Sequence, residues 1–219
     1  MPDYSTEAVA EFAFAAILEH IRELERAKAQ AKHGDYSEAD FQGSEIKGKV
    51  FGVIGLGRLG GRIAEIALNG FGADVRYWSR RRKESFEAKG IHYQEVNTLL
   101  KESDFLSLNL ALVPDTTNFL SAEKIRYIRP GTVVINLAPI ELVDINGLEQ
   151  RLKIGDITFI LDHSPRLTSE QRRQLTKYSN CIIYPPIAYT TREGTSAKLR
   201  IFVDNLENFL KGAPSNKVN

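Results

Sequence analysis

The chain has 219 residues, with 29 Lys plus Arg against 28 Asp plus Glu. At ~150 residues per domain this is one large domain with room for an attached arm, long enough to bury a core without staples. A net charge of +1 argues against bulk attraction to nucleic acid or to an anionic membrane surface, and the single cysteine, Cys181, excludes a disulfide framework or a multi-cysteine zinc site.

The N-terminus, MPDYSTEAVAEF, carries acids and no basic run, so it does not read as a secretory signal. No apolar stretch approaches the ~18 residues a spanning helix needs, and a soluble cytoplasmic protein is the expectation. Residues 6–30 predict one amphipathic helix, with Val9, Phe12, Ala16, Ile17, Ile21 and Leu24 on one stripe and Ser5 or Thr6 as its cap. The polar stretch HGDYSEADFQGSEIKGK follows and reads as an extended arm or loop. From Val50 onward short β-rich runs alternate with helical segments. The runs are 50–56, 73–79, 92–96, 105–112, 132–138, 157–163 and 181–186, with helices near 58–70, 82–89, 97–103, 121–128, 144–154 and 169–178. Several runs are nearly all apolar, as strands covered on both faces are. This alternation predicts an α/β fold, a doubly wound parallel Rossmann sheet behind an N-terminal helical arm. The expected divisions are 1–45 for helix and arm, 46–190 for the dinucleotide-binding domain, and 191–219 for a last helix and tail. That last helix carries Leu199, Phe202, Val203, Leu206, Phe209 and Leu210 on one face, and the tail GAPSNKVN is expected to fray.

The sharpest motif is Gly55-Leu56-Gly57-Arg58-Leu59-Gly60, which follows an apolar strand and opens a helix. Gly55 permits the tight turn, Gly57 lets the backbone approach a pyrophosphate, and Gly60 lets helix and strand pack closely. The helix start adds the N–H groups of Arg58 and Leu59 and a positive dipole end. At the end of the second strand an NAD-binding chain carries an acid that holds the ribose 2′-hydroxyl. Here that place reads Trp78-Ser79-Arg80-Arg81-Arg82-Lys83. No acid stands there to repel a 2′-phosphate. Ser79, Arg80 and Arg81 could hold one through charge-assisted bonds, so NADP(H) is favoured over NAD(H). A solvated basic helix start is the plainer alternative for the same run.

These residues together resemble the cofactor domain of the D-isomer-specific 2-hydroxyacid dehydrogenases. YSTEAVAEFAFAAIL is similar to the family's helix entering that domain, EIKGKVFGVIGLGRLGGRIA to its fingerprint, and LLKESDFLSLNLALVPDTTNFL to a further family stretch. YWSRRRK resembles the NADP-preferring glyoxylate and hydroxypyruvate reductases of the family. The resemblance implies that Leu110, Ala111 and Thr116 border the adenine side. It adds Leu137, Ala138, Pro139 and Pro186 to the cofactor-binding set and brings Asp162 to the nicotinamide carboxamide or ribose. It also implies a homodimer built across the first helix and arm, whose apolar stripe is large for one arm to hide alone.

Two departures stand out. The family's chains are longer, with an N-terminal segment supplying most of the substrate domain, and Met1 here begins almost at the interdomain helix; the expectation is a truncated member or a subunit completed by a partner chain. The catalytic trio also differs: Pro139 stands at the family's Arg, Leu167 at its carboxylate (Glu170 could slide in), and Pro186 at its acid/base His. Proline and leucine can neither transfer a proton nor hold a carboxylate. Tyr184, Tyr189 and His163 are the replacement proton donors to weigh, each with packing as its plainer role. No set of His, Asp and Glu has metal-ligand spacing. An atypical oxidoreductase, a non-redox nucleotide-binding or sensor module, and a subunit of a larger assembly stay open.

Overall fold

The computed structural model describes residues 4–162 and 166–217. Its strands are β1 (Val50–Ile54), β2 (Asp74–Trp78), β3 (His92–Tyr93), β4 (Phe105–Leu108), β5 (Val133–Asn136), β6 (Thr158–Leu161) and β7 (Cys181–Ile183). They form one sheet in the order β3-β2-β1-β4-β5-β6-β7, with every pairing parallel. The chain reverses its winding direction between β1 and β4, and that switch point opens a crevice at the carboxyl ends of the two strands.

Successive strand residues face opposite sides, so each strand feeds two cores. On one side Phe51, Val53, Val133, Ile135 and Ile160 pack with helices α1 (Thr6–Ile21) and α3 (Arg58–Phe71). On the other, Leu106, Val134, Phe159 and Leu161 pack with α5 (Val96–Glu102), α6 (Ala122–Tyr127), α7 (Ile145–Ile154) and α8 (Ser169–Leu175). Cys181 lies in this second core, where burial pushes its thiol up to about 12, an inert apolar filler. Among the described residues no helix is long and apolar enough to cross a membrane.

The first helix departs from expectation. It stops at Ile21, and a second helix, α2 (Leu24–Lys32), starts after Glu23 in a left-handed turn at φ 49°. The cause is tertiary. The returning arm places the Ser44 N–H on the Ile21 carbonyl at 3.1 Å, taking the acceptor that a continuous helix would offer to Glu25. Ser5 occupies the cap position without a side-chain cap bond. The arm folds back on α2, with Arg26 over the Phe41 ring at 4.3 Å and the Gln30 side chain donating to the Ser37 carbonyl at 2.8 Å. Ala10, Ala13, Phe14, Ala16, Ile17 and Ile21 are buried within the chain itself, so the α1 stripe is spent on α3 and the sheet and is not the free surface a dimer would need. Leu24, placed on that stripe by periodicity, is 44% exposed.

Candidate functional site

At the switch point β1 runs into the glycine loop. Gly55 sits at φ +95°, and a side chain there would meet the Asn109 backbone at 3.0 Å. Its N–H donates to the Trp78 carbonyl at 2.8 Å, while the Asn109 N–H donates to Ile54 at 2.8 Å, tying β1, β2 and β4 at their ends. Gly60, buried in the first turn of α3, lies so close under the loop that an added Cβ would stand 2.0 Å from the Gly55 carbonyl oxygen. Gly57 behaves differently: it caps α3 in an extended conformation, and nothing lies within 4 Å of where its Cβ would be. The cradle is therefore open over Gly57 and closed beneath Gly60, as a backbone prepared for a diphosphate must be. The Arg58 and Leu59 amides belong to the first turn of α3, where no intrahelical acceptor exists.

A cleft of about 750 Å³ opens on this loop. Gly55, Leu56 and Gly57 form one wall, Asn109, Leu110 and Ala111 a second, and Ser79, Arg80, Arg81 and Lys83 the third. None of the described residues lining it is acidic. The basic run divides its labour. Arg82 is committed below the cleft: its Nε donates to Glu87 at 3.1 Å and its guanidinium lies over the Tyr93 ring at 5.2 Å. The hydrogen bonds of Arg82 and of the Tyr77 hydroxyl, at 2.7 Å, hold the Glu87 carboxyl below its usual range. The Tyr77 oxygen also accepts the Lys83 N–H at 2.6 Å, which fixes the backbone of the run. Ser79 gives its hydroxyl proton to the Arg81 carbonyl at 2.6 Å, so it shapes the loop rather than offering a donor to the cleft. Arg80, Arg81 and Lys83 are left as the exposed cations at the rim.

Other expected residues fall into place less directly. Thr116 does not line the cleft. It is buried and donates to the Ala111 carbonyl at 2.7 Å, so it shapes the loop whose Leu110 and Ala111 do. Leu137, Ala138 and Pro139 follow β5, and Asp162 follows β6, further along the same carboxyl edge. Asp162 is buried, and its Oδ1 accepts the N–H groups of Ile187 and Ala188 at 3.2 Å each, which pins the loop carrying Pro186. Leu167 is buried in the second core and Glu170 is exposed in α8.

Among the replacement donors, Tyr184 is drawn away from the cleft. Its hydroxyl donates to Glu19 of α1 at 2.6 Å and its ring meets Phe12 edge-on at 5.3 Å. Burial, reinforced by the Glu19 carboxylate, raises this phenol well above its ordinary value. Tyr184→Phe is expected to cost about 1 kcal/mol of stability through the lost bond, read as a fall in Tm of roughly 2–4 °C, with dinucleotide affinity unchanged. Tyr189 is 39% exposed in the loop before the last helix, and His163 lies outside the described residues. Leu56, Asn109 and Lys83 line the cleft without belonging to the expected binding set. The sign for Asn109 was positional, since it is the first residue past β4 at the switch point. Among the described residues no group of three or more His, Cys, Asp or Glu side chains is placed to hold a metal ion.

Residues 14–188 match the family described as D-isomer specific 2-hydroxyacid dehydrogenase, NAD binding domain. The chain belongs to that family. A glyoxylate reductase from Thermococcus litoralis is 33% identical over 231 residues, covering 100% of this chain and 68% of its own length. A hydroxypyruvate reductase from Blautia hydrogenotrophica is 30% identical, with 100% and 70% covered. Among solved structures, a D-lactate dehydrogenase from Aquifex aeolicus complexed with NAD and lactic acid superposes with a TM-score of 0.88 at 29% identity, over 97% of this chain and 69% of that one. An acyclic imino acid reductase in complex with NADPH and D-Arg gives 0.87 at 30%, over 100% and 69%. The chain thus spans about two thirds of each of these relatives, and the span it shares is a Rossmann domain that binds a nicotinamide dinucleotide.

Proposed function

We propose that this protein binds NADP(H) in preference to NAD(H) and acts as an atypical oxidoreductase that does without its family's arginine, carboxylate and histidine. The observation that carries the reading is the cleft wall of Arg80, Arg81 and Lys83, with no acid among its lining residues, beside a glycine loop open at Gly57. The residues fit the group. The amides of Arg58 and Leu59 would hold the diphosphate and Leu110 with Ala111 would flank the adenosine half. Arg80 and Arg81 would grip the 2′-phosphate through charge-assisted bonds. Leu137, Ala138, Pro139, Asp162 and Pro186 would edge the nicotinamide half. When bound, the dinucleotide supplies or accepts a hydride. The likeness to a reductase complexed with NADPH supports the phosphorylated form.

Pro139, Leu167 and Pro186 argue against ordinary 2-hydroxyacid chemistry, because none can give a proton or hold a carboxylate. Carbonyl, imine or enone reduction with a relocated donor is the reading that remains for an enzyme. A nucleotide-binding module without turnover is the second reading, favoured by the buried, apolar setting of Leu167. Self-association into a homodimer belongs to the proposal as well.

Parallel fluorescence titrations with NADPH and NADH test the cofactor assignment. Binding of NADPH at least ten-fold tighter is expected, and equal or tighter NADH binding would contradict it. Glyoxylate and hydroxypyruvate added to the NADPH complex separate the chemistry: rapid oxidation of the cofactor would contradict the loss of ordinary 2-hydroxyacid chemistry.

A further inference from the structure

The loop after β4, which lines the dinucleotide cleft with Leu110 and Ala111, goes on to line a second cavity of about 570 Å³ with Thr117 and Asn118. The other walls are the loop after β5 with Glu141, the start of α7, and the stretch that runs from Arg166 into α8. Backbone bonds join two of these walls. The Asn118 N–H donates to the Glu141 carbonyl at 2.9 Å, and the Leu120 N–H to the Leu142 carbonyl at 2.8 Å. Ile140, Leu142 and Val143 are buried beneath them, so the wall that carries Glu141 is built before any ligand arrives.

Three of the described lining residues are charged: Glu141, Asp144 and Arg166. Asp144 is engaged by α7, where its Oδ1 accepts the Gly147 N–H at 2.9 Å and the helix start offsets its charge. Glu141 and Arg166 form an ion pair, Nη1 donating to Oε1 at 3.1 Å. The second carboxylate oxygen, Oε2, is withdrawn from the surface, and no described residue donates to it. A carboxylate oxygen kept from water without a donor is costly, so this one wants an N–H from outside the chain. Arg166 is exposed, and a guanidinium has four more N–H groups than the one Glu141 takes. The pair thus presents an acceptor and a set of donors side by side. An α-amino acid answers both, with its ammonium and carboxylate on a single carbon. The four charges then alternate in sign, each beside two of the opposite kind. A free carboxylate would face Glu141 and Asp144 unaided, and a plain amine would leave Arg166 unmet. Asn118, Asn146 and Gln171 add neutral amides around the pair. The Gln171 Oε1 accepts the Thr168 N–H at 2.9 Å, which leaves its amide N–H groups as donors.

We propose that this cavity binds a small zwitterion of the α-amino acid class, its ammonium on Glu141 Oε2 and its carboxylate on Arg166. The cavity shares no described lining residue with the dinucleotide cleft, and the assignment stands independently of the cofactor reading. Calorimetric titration of the full chain with glycine, methylamine and acetate tests it. Glycine is expected to bind with a Kd of about 1 mM or tighter, and each half-molecule at least ten-fold more weakly. Glu141→Gln, which keeps the shape and removes the charge, and Arg166→Gln should each weaken glycine at least ten-fold. Tm should hold in both, since an exposed ion pair adds little to stability, and NADPH affinity should be unchanged. In amide NMR spectra the side chains of Asn118, Asn146 and Gln171 should shift with glycine in the wild type and stay still in Glu141→Gln. Absence of glycine binding at roughly ten times the expected Kd would overturn the proposal. So would methylamine or acetate binding as tightly as glycine, or variants that keep the wild-type affinity.

Discussion

Gly57→Ala is expected to leave the protein as stable as the wild type and to weaken dinucleotide binding at least ten-fold, whereas Gly60→Ala is expected to fail at folding first. The two glycines lie three residues apart in one motif, yet the space around them differs. At Gly57 the added methyl meets nothing within 4 Å, and the backbone at φ −85° and ψ −158° suits an L-residue. Alanine is a poorer helix cap than glycine by about 0.5–1 kcal/mol, and it gains about as much by stiffening the unfolded chain. The two effects nearly cancel. The methyl projects instead into the space the diphosphate needs. At Gly60 it would stand 2.0 Å from a backbone oxygen that cannot move without breaking the β1 to α3 turn. Overpacking of that kind costs about 2–4 kcal/mol, or roughly 5–15 °C in Tm. Thermal melts and calorimetric titrations of the two variants check both halves, and equal melting points would contradict the account of the loop.

The second large effect sits across the cleft. The double variant Arg80→Ala with Arg81→Ala should lose about 100-fold in NADPH affinity, two charge-assisted bonds at about 1.5 kcal/mol each. NADH affinity should move by no more than a few-fold, so the preference collapses. Arg82→Ala is the control. Its guanidinium is engaged with Glu87 and Tyr93 beneath the run, so its removal should loosen the loop without selectively hurting the phosphorylated cofactor. Parallel losses for NADPH and NADH in the double variant would show that the arginines serve the shared diphosphate instead.

The sheet was readable from the sequence because parallel strands buried on both faces leave unbroken apolar runs. All seven runs became strands, and most ran long at their carboxyl ends. Leu56, Leu137 and Ala138 continue the apolar run and are buried, yet they lie past the strand ends, Leu56 in the loop that lines the cleft and the other two further along the same carboxyl edge. The break after Ile21 was hidden because nothing at positions 22 and 23 opposes a helix locally; the Ser44 amide that ends it comes from a distant segment. Glycine spacing located the cradle since each glycine answers a backbone requirement. Side-chain direction is a tertiary matter, so Tyr184 and Ser79 could not be placed from spacing. The same holds for the last helix, Arg192–Leu210: periodicity gave its apolar stripe and said nothing of which way it turns. The inward face is set by Gly194 lying against the backbone of Tyr4 and Tyr189.

Amide hydrogen exchange with and without saturating NADPH tests most directly whether the glycine loop is the dinucleotide site. The account predicts added protection in three stretches that meet only in the folded chain, residues 55–60, 79–83 and 109–111. Exchange that stays the same at all three under saturating NADPH would contradict it.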